Sequence, residues 1–174
     1  MEYIKQLRTM RHLLIDDFII PIGSAICSAL SLFGYLWDRS NTAMLILSVI
    51  PFIIFVIALP FFIRQLKEYR AFKNITLEAV NTTKIFCVKM KLITYYVKYS
   101  RPKIAKLRFF TDDGKVYTYV YPDERQLNKR FSLDTIRLPE YSKELETQIK
   151  EQFIGMTITL SCYGNSDYIR SILH

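Results

Sequence analysis

FIIPIGSAICSALSLFGYLW (residues 18–37) and SNTAMLILSVIPFIIFVIALPFFI (residues 40–63) are two uncharged runs of 20 and 24 residues, parted only by Asp38 and Arg39. At about 1.5 Å per helical residue, each is long enough to cross a hydrocarbon layer of about 30 Å. Backbone amides in lipid must be paired internally, so both runs are expected to be helices. The expected architecture is a membrane α-hairpin of two transmembrane helices at 18–63. It is flanked by an amphipathic basic N-terminal segment (1–17), a basic juxtamembrane linker (64–74) and a small, mostly β domain (75–174).

Charge divides at the same place. Four basic and four acidic side chains precede Arg64, which leaves 20 and 12 from Arg64 onward and the whole formal charge of +8. That asymmetry points to an anionic neighbour. Lys5, Arg8 and Arg11 precede the hairpin, and Arg64, Lys67, Arg70 and Lys73 follow it. The turn holds Arg39 offset by Asp38. Positive flanks stay inside, so a multi-pass protein of the cytoplasmic membrane with both termini in the cytoplasm is expected. The first run starts late, lacks a small-residue cleavage site and is followed at once by a second run. It is read as retained and not as a signal peptide.

In the N-terminal segment Tyr3, Ile4, Leu7, Met10 and Leu14 recur at helical spacing. They define an apolar face that lies in the headgroup plane or extends the first span into water. Asp16 and Asp17 are expected to cap the membrane helix, which would put Pro21 near its first turn. Ser24, Cys27, Ser28, Ser31 and Gly34 form a stripe of small residues, suited to close packing against the second span or against a second copy. Neither run holds an ionisable side chain for an ion or proton pathway. Pro51 and Pro60 are expected to kink or loosen the second helix.

Beyond residue 75 the pattern becomes extended. Strands are expected at 75–99, 103–111, 115–121, 156–163 and 168–173. A helix at 140–153 carries Tyr141, Leu145, Ile149 and Phe153 on one side and closes at Gly155. Three strands, a helix and two strands is the element order of the OB-fold, a five-stranded barrel, with a three-on-two sandwich as the alternative.

The whole order from Phe18 to Leu173 resembles the architecture of bacterial NfeD-type membrane proteins, a transmembrane hairpin followed by an OB-like barrel. That resemblance implies a scaffold of membrane assemblies. The segment from Gly155 to Leu173 is similar to the closing hairpin of several small bacterial membrane proteins, which implies a bacterial origin.

A two-residue Asp113-Gly114 turn would set Phe110 opposite Tyr117, Arg108 opposite Tyr119 and Lys106 opposite Tyr121. These six residues would then form one exposed basic and aromatic face, with Leu107, Phe109, Val116 and Val120 on the core side. Residues 79–111 hold eight basic side chains and no acid. Such a face suits anionic lipid headgroups or an acidic membrane-protein partner, and with less support nucleic acid, by base stacking in a basic groove. It could equally be a solvated face.

Catalysis, cofactors and metals find no motif. The histidines are His12 and His174, and Cys27, Cys87 and Cys162 lack paired spacing, as free thiols in a reducing compartment would. Five glycines form no phosphate-binding loop. The expectation is a membrane-anchored, non-catalytic interaction module, a scaffold or regulator of a membrane complex. A self-immunity or protective membrane protein and a tethered nucleic-acid-binding OB domain are the alternatives.

Overall fold

A computed structural model describes residues 2–38, 42–75, 80–95, 101–123 and 138–173. It contains two helices long and apolar enough to cross a membrane, α1 (Glu2–Trp37) and α2 (Thr42–Lys73). Five strands and a short helix follow: β1 (Val80–Tyr95), β2 (Lys103–Thr111), β3 (Val116–Val120), α3 (Lys143–Phe153), β4 (Thr157–Tyr163) and β5 (Tyr168–Leu173). Two compact units result: Arg11–Ala71, and Met1–Met10 together with Phe72–His174.

In the first unit the helices run antiparallel. Phe18 and Phe62 place their rings 5.1 Å apart, and Ser28 Oγ donates to the Ser48 carbonyl at 2.9 Å. The Met44 sulfur lies 3.8 Å from where a Cβ on Gly34 would stand. Ser28 and Gly34 of the small-residue stripe thus face α2 of the same chain, while Cys27 is exposed. Asp16 and Asp17 do not begin a helix, and Pro21 is not in a first turn. Both acids and the proline sit inside α1, which runs unbroken from Glu2. Helix formation by the preceding residues has simply absorbed the expected cap. The turn residues 39–41 lie outside the described residues.

In the second unit the strands form a mixed sheet closed in a ring, in the order β1-β2-β3-β5-β4 and back to β1. Among the described residues, only β3 and β5 pair in parallel. Strand β1 closes the ring by serving two neighbours in turn. Val80–Phe86 pairs with β4, and Cys87–Tyr95 pairs with β2. Val88 is an extra residue between the pairs Cys87–Thr111 and Lys89–Phe110. A bulge of this kind bends a strand and sharpens its twist. It also shifts the inward set, so Ile85 and Cys87 are buried before it and Met90 after it.

Inside the ring, Ile85, Cys87, Met90, Ile104, Leu107, Phe109, Tyr117, Ile158, Leu160, Cys162 and Ile169 form the core. Helix α3 covers the end where β4 begins. Its Tyr141-Leu145-Ile149-Phe153 side packs on that core, and Phe153 meets Phe109 edge-on at 5.5 Å. Ser142 caps it by accepting from Leu145 N–H at 3.1 Å. Gly155, at φ 80°, stops it in the left-handed region open to glycine. The Cys87 and Met156 backbones then join at 3.0 Å.

The opposite end, where β4 finishes at Tyr163, is covered by residues the sequence assigns elsewhere. Phe72, in the last turn of α2, is fully buried. Its ring stacks on Tyr3 at 5.2 Å and meets Tyr168 at 5.0 Å. Tyr3 also donates to the Lys73 carbonyl at 3.0 Å. The buried side of the first helical turns is Gln6, Thr9 and Met10, whereas Ile4 is 59% exposed. The expected apolar face through Ile4 and Leu7 is therefore rotated. Thr9 is satisfied because its Oγ1 donates to the Tyr121 carbonyl at 2.7 Å, and Tyr163 OH donates to Gln6 Oε1 at 2.7 Å, while the buried Gln6 Nε2 has no hydrogen-bond partner among the described residues.

Replacing Phe72 by alanine should cost about 3–5 kcal/mol, the range for a buried phenylalanine. Unfolding of the full-length protein in detergent, followed by near-ultraviolet circular dichroism, reads this loss. Phe61→Ala, at a side chain 67% exposed, should leave the transition in place.

Candidate functional site

The β2–β3 hairpin does not have the expected register. Phe110 pairs with Val116, Phe109 with Tyr117, Arg108 with Thr118, Leu107 with Tyr119 and Lys106 with Val120. The cause lies in the turn. Thr111 N–H bonds to the Lys115 carbonyl at 3.1 Å, so the loop is Asp112-Asp113-Gly114, three residues and not two. Gly114, at φ 79°, takes the left-handed position that ends such a loop. Asp113 is held below the usual carboxylate range, first by the Thr111 hydroxyl and then by the Lys115 backbone N–H.

One residue of shift moves every side chain of a strand to the other face. Tyr117 and Tyr119 turn inward with Leu107 and Phe109, and Tyr117 is buried. Tyr121 is partly buried against the core, edge-on to Tyr119 at 5.2 Å, and burial raises its phenol above the ordinary value. Lys106 is fully buried beside Val120 and Thr118. The six residues expected on one exposed face are thus divided. Arg108 and Phe110 remain on the outer side, each partly exposed.

The register brings a different set together. Lys91 stands beside Arg108 and Lys89 beside Phe110 on neighbouring strands. Along β1 from Lys84 onward the exposed side chains are Lys84, Phe86, Val88, Lys89 and Lys91, after Val80, Asn81 and Thr82 at its start. Phe86 pairs with Thr157, next to Met156. Phe86, Val88 and Met156 are 44%, 51% and 54% exposed. Sequence reasoning missed this face because an unbroken period of two cannot place Val88 and Lys89 on one side. The acid-free window at 79–111 was the available signal.

Other chemistry is sparse. Cys27, Cys87 and Cys162 are free thiols, the last two buried. Burial, and then the Asp167 charge, push the Cys162 thiol up to about 11. Burial, then the negative charge of Glu2, push the Tyr163 phenol up to about 12. Groups shifted this way are poor nucleophiles near neutrality. Among the described residues no three His, Cys, Asp or Glu side chains gather as a metal site. A groove along α2, lined by Val56, Leu59, Pro60, Ile63, Arg64 and Lys67, is apolar with a basic end. Comparison with protein-family models, curated proteins and solved structures finds no match to this chain.

The raised thiol and phenol contribute to a loss of stability at alkaline pH. Both acids hold their protons more tightly in the folded ring than in the unfolded chain, where they ionise near 9.0 and 10.0. Their contribution is complete below pH 9. It should fall as pH rises through about 11 for Cys162 and about 12 for Tyr163. Denaturation midpoints measured between pH 8 and 11 should drop, and Cys162→Ala should flatten the first part of that fall. In a Cys27→Ser protein, thiol reagents at pH 8 should modify Cys87 and Cys162 only on unfolding.

Proposed function

We propose that the chain is a membrane-anchored, non-catalytic interaction module, a scaffold or regulator of a complex in a bacterial cytoplasmic membrane. The observation that carries this reading is the exposure of the two apolar helices. In their most apolar windows only 11% and 6% of residues are buried. Core helices of water-soluble proteins bury such surface, and exposed apolar patches of this extent mark membrane or protein contact. The basic flanks favour both termini in the cytoplasm.

The ring, read as an OB-like barrel, would then be the cytoplasmic module. Strand order and the helix between β3 and β4 support that reading. OB-folds bind nucleic acid across the second and third strands. Here Lys106, Thr118 and Val120 on that face are buried, which weighs against the tethered nucleic-acid reading. Buried thiols with raised pKa values weigh against cysteine catalysis. A scaffold needs only its anchor and an exposed recognition surface, and the β1–β2 outer face provides one.

Topology is the direct test. Asp112 lies on the exposed hairpin loop, and a single Asp112→Cys replacement in a Cys27→Ser background offers one accessible thiol. An impermeant maleimide should label it only after cells are permeabilised, and the protein should stay in the membrane pellet after an alkaline carbonate wash. Labelling of intact cells would reverse the proposed orientation, and release by carbonate would remove the membrane anchor.

A further inference from the structure

The outer face of β1 combines cations with exposed apolar surface in a way that core packing does not require. Lys84, Lys89 and Lys91 are exposed, and no acidic partner for them occurs among the described residues. Arg108 is their neighbour across the ladder. Between Lys84 and Lys89 lie Phe86 and Val88, about half exposed, with Met156 beside them. Like charges held this close repel one another, and half-exposed apolar side chains leave about half of their surface in water. An acidic, partly apolar partner would relieve both.

We propose that this face docks an acidic amphipathic helix of a partner protein, with an apolar stripe seated on Phe86, Val88 and Met156 and carboxylates meeting Lys84 on one side and Lys89 and Lys91 on the other. The inference rests on the reading of the chain as an interaction module and names the chemistry of its partner. Along β1 the seven steps from Lys84 to Lys91 extend at most about 23 Å, at about 3.3 Å per residue, and less where the bulge at Val88 bends the strand. At about 1.5 Å per residue, about 15 residues of helix span that distance.

Two other occupants fit less well. A second copy of this face would bring its own lysines against these, at a direct electrostatic cost. For a bilayer, the apolar side chains would have to enter ahead of the cations. Phe86 lies on a paired strand with Lys84 and Lys91 on the same side, so neither group leads. An amphipathic helix, with apolar and acidic side chains at one level, matches that arrangement.

Full-length protein in neutral-lipid nanodiscs is titrated with a fluorescent 16-residue helical peptide carrying a leucine stripe flanked by glutamates. Three comparison probes are a scrambled peptide, the same peptide with lysine for glutamate, and phosphatidylserine vesicles. The ordered acidic peptide should bind, the scrambled one should bind more weakly, and the lysine peptide should not bind. Lys84→Glu/Lys89→Glu/Lys91→Glu should weaken the acidic peptide by about tenfold or more, since three attractive pairs become repulsive. The same triple variant should gain binding of the lysine peptide. Phe86→Ala should weaken binding without changing its dependence on salt. Equal binding of ordered and scrambled peptides, or failure of the charge swap, overturns the proposal. Phosphatidylserine binding that exceeds peptide binding and is lost in the triple variant assigns the face to lipid instead. Peptide failure beside the expected thiol labelling leaves the anchored-module reading standing, whereas failure of labelling alone leaves the docking face standing.

Discussion

The ring depends on one strand pairing with two neighbours that it cannot meet along a straight course. Strand β1 gives its first seven residues to β4 and the rest to β2. A flat strand would leave an open sheet with two free edges, which invites association through unpaired backbone. The extra residue at Val88 supplies the bend. The bulge has a second effect, since it places Val88 and Lys89 together on the outside. The device that closes the ring therefore also builds a basic outer surface.

Much of the second unit was legible because the signals are local. The runs at 103–111 and 168–173 have the observed strand limits, and Tyr141, Leu145, Ile149 and Phe153 form the packed side of α3. Gly155 marks the end of that helix because only its backbone tolerates the required φ. The hairpin register was not legible. Asp113-Gly114 belongs equally to two- and three-residue loops, and the choice inverts which tyrosines meet water. The bulge in β1 leaves no composition mark, so a surface built on strict alternation had to fail there.

The first helical turns show a different limit. Of the apolar face that hydropathy selects, Met10 is buried but Ile4 is exposed, and Gln6 and Thr9 are enclosed beside Met10. Their partners are the Tyr163 hydroxyl and the Tyr121 carbonyl, far along the chain. A buried polar side chain is inexpensive when a partner waits for it, and no local pattern can announce that partner. Arg8 adds an ion pair, 3.9 Å from the fully buried Asp123. Basic character at the N-terminus, read as a sign of orientation, is thus partly spent on the ring itself.

The helical hairpin is an insertion within the chain of the β unit, and this bears on the order of assembly. Tyr3 and Phe72 touch across 69 residues of sequence. Once Phe18 has met Phe62, the effective loop between them falls to about 25 residues, which lowers closure entropy by about 1 kcal/mol. The Gln6–Tyr163 bond, across 157 residues, must wait for strand β4. During synthesis the hairpin can therefore pair while the sheet is still being made, and the last strands then close onto a prepared aromatic seat. Hairpin pairing and ring formation become successive steps, with the earlier one setting the template for the later.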